Sequence, residues 1–366
     1  MNDFSPRTLK KLFIGAVTAL AALPLFAYAH EAYVLPTSFF WQGIHEPFDM
    51  EAFGALKNPH DLLVTLQIAG GILALIFINF LFRLTDAGSR FHKFLERFAY
   101  LGPLFVRAAI ASAFFFGAQS GAFLGPELSL SQMPYGHVMQ WLIYLASAMI
   151  FFGVFTEIAA FIGLCVFTIG FVSFGGYLVT YLNYLGELIV LFLFGMRTWS
   201  FDGWFFGPLK DRRARWDRYG TAIVRIFYGA ALLYAGITVK LLDSNLMLRV
   251  IHDWNLTQFH WLFPSDPLLV VLGAGLAEAL IGIFIIFGFE MRMTVVISLF
   301  YITLSLLYFR ELVWPHILLY GISLNLIVQP ELFTLDHLFF RRERKKIPFR
   351  RRLFGPYVSA ENDIEK

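Results

Sequence analysis

The sequence predicts an all-α polytopic membrane protein, with two parallel four-helix transmembrane bundles preceded by one or two N-terminal spans. Three observations carry this expectation. The chain of 366 residues is 58% hydrophobic and 15% charged, against roughly a quarter charged in a soluble domain. Apolar runs long enough to span a bilayer, about 20 residues, recur along its whole length. After the second run the pattern of residues begins to repeat. Together with 43 phenylalanines, enough to coat a lipid-facing surface, these numbers exclude a soluble enzyme, a disordered chain and a nucleic-acid binder. The single cysteine, Cys165, leaves no internal disulfide, no cysteine-ligated iron–sulfur cluster and no covalently attached haem to expect.

The first apolar segment, Leu12–Ala29, follows Arg7, Lys10 and Lys11 and ends in Ala27-Tyr28-Ala29. A basic start, an apolar middle and a small-x-small end form the pattern of a signal peptide cleaved before His30, or else of a first helix. Leu62–Phe82 is an uncharged span, and Ala108–Pro126 and Val138–Thr156 follow. The uncharged run Ile158–Gly186 is too long for one helix and too short for two. It therefore turns around Tyr177–Asn183, and its second helix runs on through Glu187 to Met196. Thr221–Val239, Pro267–Phe289, Met293–Phe309 and Leu312–Pro330 complete the set. Between them, Leu246–Phe263 mixes apolar and polar residues, as a helix lying along a membrane surface does.

Charge fixes an orientation. With the N-terminus of the unprocessed chain in the cytoplasm, only Lys57, Lys240, Arg249 and Arg310 of the 29 Lys and Arg fall outside, as the positive-inside rule requires. The basic runs Lys210–Arg218 and Arg341–Arg352 then face the cytoplasm, where they attract anionic lipid head groups. The chain divides into a signal peptide or first helix (1–29), an extracytoplasmic segment (30–61), a span with its connector (62–100), a first four-helix unit (101–200), a basic linker (201–218), a second unit (219–335) and a basic cytoplasmic tail (336–366).

The two units share residues. Phe105-Val106-Arg107 opens one and Ile223-Val224-Arg225 the other; Phe151-Phe152-Gly153-Val154-Phe155 matches Ile286-Phe287-Gly288-Phe289-Glu290. Each opening helix carries a small-residue face, Ala111, Gly117 and Gly121 against Gly229, Ala230 and Gly236, which lets membrane helices approach closely. Four spans per unit is an even number, so both insert with the same orientation. At these residues the chain resembles the DoxX-like family of four-helix membrane proteins. The second unit supplies Arg225, Gly236 and Lys240, then Gly275-Leu276-Ala277-Glu278-Ala279-Leu280-Ile281-Gly282, then Gly288 and Arg292. The first unit keeps Arg107, Gly117 and Gly153 but lacks the Lys and the Glu. Some members of that family are membrane subunits of thiosulfate:quinone oxidoreductases. The resemblance thus implies quinone-linked redox chemistry, with quinone as cofactor and a soluble or peripheral redox partner supplying the electron carrier.

The residues themselves nominate Glu278, Lys240 and Glu187 as catalytic candidates. Glu278 sits near the middle of its span, where a carboxylate is costly and is a functional hypothesis by default. It either exchanges protons with a quinone or substrate, or binds a neighbouring helix as structural glue. Lys240 ends the adjacent helix and either pairs with Glu278 or snorkels to the lipid interface. Glu187 has Asn183 one turn above it on its helix. Arg107 and Arg225, at helix starts, read as topology anchors. Among histidines, His30, His45, His60, His137, His252, His260 and His316 fall on the outer side, and His92 and His337 inside. Cleavage before His30 exposes an amine and an imidazole that chelate copper, with His45 or His60 as a further nitrogen. Two other functions therefore stand beside redox catalysis: a membrane scaffold or small-solute carrier, and extracytoplasmic copper handling.

Topology is directly testable. A reporter active only outside the cytoplasm is expected to be silent when fused after Lys366 and active when inserted beside Lys57. The reverse pattern would overturn the helix assignment.

Overall fold

A computed structural model describes residues 35–195, 200–206, 219–258, 266–309, 312–329 and 333–337. Among them the chain is helical, with one isolated antiparallel bridge, Ala122 to Ser129. The helices are α1 (Thr37–Ile44), α2 (Pro59–Leu84), α3 (Asp86–Glu96), α4 (Gly102–Gln119), α5 (Gly136–Phe152), α6 (Thr156–Phe174), α7 (Leu182–Phe194), α8 (Phe201–Phe206), α9 (Gly220–Tyr234), α10 (Ser244–Asp253), α11 (Pro267–Phe287), α12 (Met291–Tyr308) and α13 (Ile317–Val328). Six helical stretches are long and apolar enough to cross a membrane: Pro59–Leu84, Asp86–Gln119, Thr156–Phe194, Gly220–Leu241, Pro267–Phe287 and Met291–Tyr308. The protein is an integral membrane protein. Gly136–Phe152 and Trp314–Val328 are shorter apolar helices. The first apolar segment, His30, and the basic runs Lys210–Arg218 and Arg341–Arg352 lie outside the described residues.

Helix ends follow local chemistry. Asn58 caps α2 by accepting from the His60 amide, with Pro59 at the first position, where a missing N–H costs nothing. Asp266 and Pro267 repeat that device at α11. The uncharged run after Ile158 breaks where a turn was expected. Helix α6 stops at Phe174, a 3₁₀ segment covers Gly175–Tyr181, and α7 resumes at Leu182. The segment expected along the membrane surface, Leu246–Phe263, begins in α10 (Ser244–Asp253), with Leu246, Met247, Val250 and Ile251 buried. It packs on α1 and α11 and closes that end of the molecule.

Packing passes from α4 to α5, α6 and α7, across to α9, then through α11, α12 and α13, which returns to α4. Helix α2 stands largely apart, with 11% of its spanning window buried. Its sides present Leu66, Leu73, Phe77 and Ile78 outward, a surface suited to lipid. Its far end is anchored. Asn79 and Arg83 both donate to Glu290, and Arg83 also pairs with Asp336 at 2.8 Å. Burial pushes the Glu290 carboxyl above the usual range, against the pull of Arg83.

The matched pentapeptides end in the same construction. Gly153 closes α5 at φ 67° and Gly288 closes α11 at φ 62°, a left-handed conformation that glycine adopts without strain. Each glycine carbonyl accepts from an aspartate amide, Asp202 at 2.9 Å and Asp336 at 3.2 Å. Each aspartate then caps the next helix. Asp202 accepts from the Phe155 and Thr156 amides at 2.8 and 2.9 Å, and Asp336 from the Glu290 and Met291 amides at 2.8 and 2.9 Å. Arg107 and Arg225 are buried beside these caps, and Arg225 donates to the Phe333 carbonyl at 2.8 Å. As surface anchors alone they would lie exposed; their burial arises because each guanidinium sits in the field of one capping aspartate.

Asp336 serves both as cap and as the partner of Arg83, whereas Asp202 is not part of the α2 anchor. Asp336→Ala is therefore expected to lower stability by about 3–5 kcal/mol, as loss of one member of a buried pair does. Asp202→Ala removes a cap and the charge facing buried Arg107 but no α2 anchor, and should cost about 3 kcal/mol, the low end of that range. Thermal unfolding of both variants in mild detergent gives the order.

Candidate functional site

The approach of α9 to α11 builds the site. Both helices place glycine where they cross: a Cβ on Gly229 would strike the Gly282 carbonyl, and a Cβ on Gly236 would strike the Gly275 carbonyl and the Ala279 amide. Such backbone contact brings the next side chains into register. Beyond Tyr234 the helix widens into a π-turn over Ala235–Leu241, closed by the Leu242 amide on the Ile237 carbonyl at 2.9 Å. π-turns inside helices collect at functional sites, and here the widened turn carries Lys240. Its Nζ donates to Glu278 Oε2 at 2.6 Å, with both residues 5% exposed. Of the two sequence-level alternatives for Lys240, snorkelling is therefore overturned: the ammonium points inward because a carboxylate waits there.

Glu278 also lines a cavity of about 60 Å³. Around it stand Asn183 and Tyr184 from the start of α7, Tyr177 and Tyr181 from the preceding 3₁₀ segment, and His316. Ala231, Ala235 and Val239 supply the wall from α9 and its π-turn, and Phe40 of α1 belongs to the lining as well. Phe40 is fully buried and meets Tyr177 edge-on at 5.2 Å. Behind the two tyrosines lies Glu127, buried, with Oε1 accepting from Tyr177 at 3.0 Å and from Tyr181 at 2.6 Å. Trp41 of α1 donates to the Glu127 carbonyl at 3.3 Å. The result is a small chamber with a mostly apolar wall and a few polar groups, with the Glu278 carboxylate in its lining and that of Glu127 behind two of its tyrosines.

His316, one of the histidines expected on the outer side, is buried within the protein. It is 4% exposed, in a 3₁₀ turn leading into α13. Its Nδ1 is 3.0 Å from the Leu312 carbonyl, so that nitrogen carries the proton. Glu127, Tyr177 and Tyr181 were missed altogether. The available signal was an acidic residue held in a short Gly/Pro connector between two spans, but its partners lie 50 and 54 positions away.

Glu187 is 1% exposed, one turn beyond the cavity on α7. Of the proposed copper ligands, His30 lies outside the described residues. His45 is exposed with Nδ1 2.6 Å from the Trp41 carbonyl, and the His60 side chain is 78% exposed beside Asp61. Among the described residues, no group of three His, Cys, Asp or Glu comes together to hold a metal ion.

The buried pair makes a sharp prediction. Removing one partner strands the other charge, so Lys240→Met is expected to destabilise by about 3–5 kcal/mol, while Lys240→Met with Glu278→Leu should regain most of it. Thermal melts of the singles and the double give the coupling; additive losses would show that the two charges do not depend on each other.

No family model matches the sequence, and no curated protein and no solved structure matches the chain.

Proposed function

We propose that the chain is a DoxX-like protein of two tandem four-helix units, held in a bacterial-type inner membrane with its C-terminus in the cytoplasm. It serves as a membrane subunit in quinone-linked redox metabolism, and Glu278 is its proton-exchanging group. One observation carries this reading: a carboxylate paired with a lysine, inside the helix array, opening on a cavity. Structural glue needs no cavity, and a lipid-facing lysine needs no carboxylate.

Lys240 holds Glu278 in place between events through the contact at 2.6 Å. A proton arriving from a bound substrate neutralises the carboxylate and frees the ammonium. His316 and the tyrosine hydroxyls orient the substrate or the water that carries the proton. A quinone would supply the electron-accepting chemistry, and a soluble or peripheral partner the electrons. The basic linker and tail hold anionic lipid.

A second reading, a small-solute carrier, draws on the cavity's size. At about 60 Å³ it is well below the ~150 Å³ in which an engineered apolar cavity takes up benzene. A quinone ring therefore enters only if the α1 cover carrying Phe40 moves, whereas a solute of one or two heavy atoms fits as the cavity stands.

Glu278→Gln keeps shape and hydrogen bonding but cannot exchange a proton. The variant leaves the Lys240 ammonium facing a neutral amide, so it is expected to insert but to melt at a lower temperature, and to lose at least about a hundredfold in turnover under conditions where it stays folded, the scale of general acid–base catalysis. Reduction of a short-chain quinone by the purified protein with its electron donor tests the first reading. Uptake of a small neutral solute into proteoliposomes tests the second. Full activity of Glu278→Gln in both assays would remove Glu278 as the site.

A further inference from the structure

Between the spans α2 and α4 the chain does not turn back at once but forms α3, Asp86–Glu96. The 26 residues of α2 rise about 39 Å at 1.5 Å each. That exceeds the roughly 30 Å of a hydrocarbon core, so the chain has left the core by Thr85. Thr85 caps α3 by accepting from the Gly88 amide at 3.1 Å. A Cβ on Gly88 would strike the Phe82 carbonyl. Gly88 therefore lies back against the last turn of α2, and α3 bends away from the span instead of prolonging it. Helix α4 then opens at Gly102, so α3 occupies the level where one span ends and the next begins.

Three sides of α3 differ in chemistry. On the inward side Gly88 is buried, and Arg292 of α12 donates to Glu96 at 3.4 Å and to the His92 ring. Arg292 is itself fixed by donating to the Ile327 and Gln329 carbonyls at 2.9 and 3.2 Å. Arg90, Lys93 and Arg97 follow one another at three and four positions, the spacing of neighbours on one helix face. All three are exposed, and none has an ion-pair partner among the described residues. Phe91, Phe94 and Phe98 share that spacing on the adjoining face. Phe91 and Phe94 are about half exposed, and Phe98 meets Phe94 edge-on at 5.3 Å. Glu96 is turned to Arg292, and Asp86 sits in the first turn, where a carboxylate suits the helix N-terminus. The basic face thus keeps its charge over the rest of the helix.

A bare basic stripe beside a bare aromatic stripe is the surface of a helix that lies in a membrane interface. Water suits the first stripe and not the second; the hydrocarbon core suits the second and not the first. We propose that α3 binds anionic phospholipid: Arg90, Lys93 and Arg97 take the phosphate of its head group, and Phe91, Phe94 and Phe98 lie among the first carbons of its acyl chains. By holding Glu96 and His92, Arg292 sets the rotation of α3 about its own axis, so that both stripes meet the bilayer together. A soluble anion would engage the arginines and leave the rings in water, so the occupant is a lipid and not free phosphate. This surface is separate from the basic linker and tail. It rests on the chain spanning a bilayer and not on the redox reading.

Fluorescence quenching of the intact chain in phosphatidylcholine nanodiscs tests this. Phe94→Trp puts a reporter on the aromatic face, read as the difference from the unaltered chain. Brominated phosphatidylglycerol, added as a minor component, is expected to quench that tryptophan at least about twofold more than the same share of brominated phosphatidylcholine, well within the roughly fivefold that one basic residue near an anionic surface contributes. Adding Arg90→Gln, Lys93→Gln and Arg97→Gln should abolish the excess, whereas Lys210→Gln, Arg212→Gln and Arg213→Gln in the basic linker should leave it. Equal quenching by the two lipids would overturn the proposal, as would loss of the excess in the linker variant. Quenching by neither lipid would place the face in water, open to an acidic protein surface, and would overturn it too. Should the α3 triple variant fail to insert, Phe94→Trp alone still decides between the lipids. Raised salt, which screens exposed charges, should then shrink the excess, and an excess indifferent to salt would refute the role of the basic stripe. No arm uses the Glu278→Gln assay, so the two readings fail separately.

Discussion

A bilayer core offers no hydrogen bond to a carboxylate, an ammonium or a hydroxyl, so every such group inside the helix array must be matched by the protein itself. Most of this structure follows from that constraint. Helices α5 and α6 are joined to their surroundings by donors that find carbonyls or caps. Ser147 donates to the Ala111 carbonyl at 2.7 Å, Gln140 to the Ala118 carbonyl at 2.7 Å, and Thr156 to Asp202 at 2.6 Å. In the other half, the Tyr228 hydroxyl lies 3.1 Å from Ser298 and 3.3 Å from Ser323. Against this background of satisfied groups, those left over are informative. The Tyr184 hydroxyl has no hydrogen-bond partner, and Tyr184 lines the chamber that also receives Glu278.

The same constraint explains why backbone irregularity gathers at the site. The π-turn of Ala235–Leu241 and the 3₁₀ segment of Gly175–Tyr181 both depart from the α-helical ladder within apolar surroundings. Non-helical backbone at such depth is tolerated where it is buried in protein or lines a cavity. Both segments do: Ala235 and Val239 come from one, and Tyr177, Thr180 and Tyr181 from the other. The close crossing at Gly236 and Gly275 is the complementary requirement. Side chains there would hold α9 and α11 apart, and a lysine reaching 2.6 Å from a carboxylate leaves little slack for separation.

How much of this was legible in the sequence depends on the range of the interaction. Spans were legible because hydropathy is local. Leu62–Phe82 falls within α2, and Pro267–Phe289 nearly coincides with α11 (Pro267–Phe287). The run Ala108–Pro126 was placed too late, since α4 begins at Gly102 and ends at Gln119. Buried Arg107 hid the true start, and the apolar residues Ala122–Leu124 belong to a connector packed inward. The Lys240–Glu278 pair was open to inference because both residues are anomalous on their own helices. The Asp202 and Asp336 caps were not, although the glycines they serve were matched. An aspartate 46 positions from the amide it caps leaves no periodic trace. Nor did His316, since a histidine near a span end reads as a loop residue until the turn that buries it is seen.

Charge restricts what the proposed site can take. Glu278 faces the cavity and Glu127 stands behind two of its walls, while the one ammonium at the site, that of Lys240, is held against Glu278. An anion entering this space would lose its hydration and meet carboxylates, an arrangement that costs several kcal/mol in a low-dielectric interior. A neutral molecule or a proton meets no such barrier. On the proposed function, an anionic electron donor such as thiosulfate is therefore oxidised outside the helix array, on the partner protein. The membrane chain then handles the neutral acceptor and its protons.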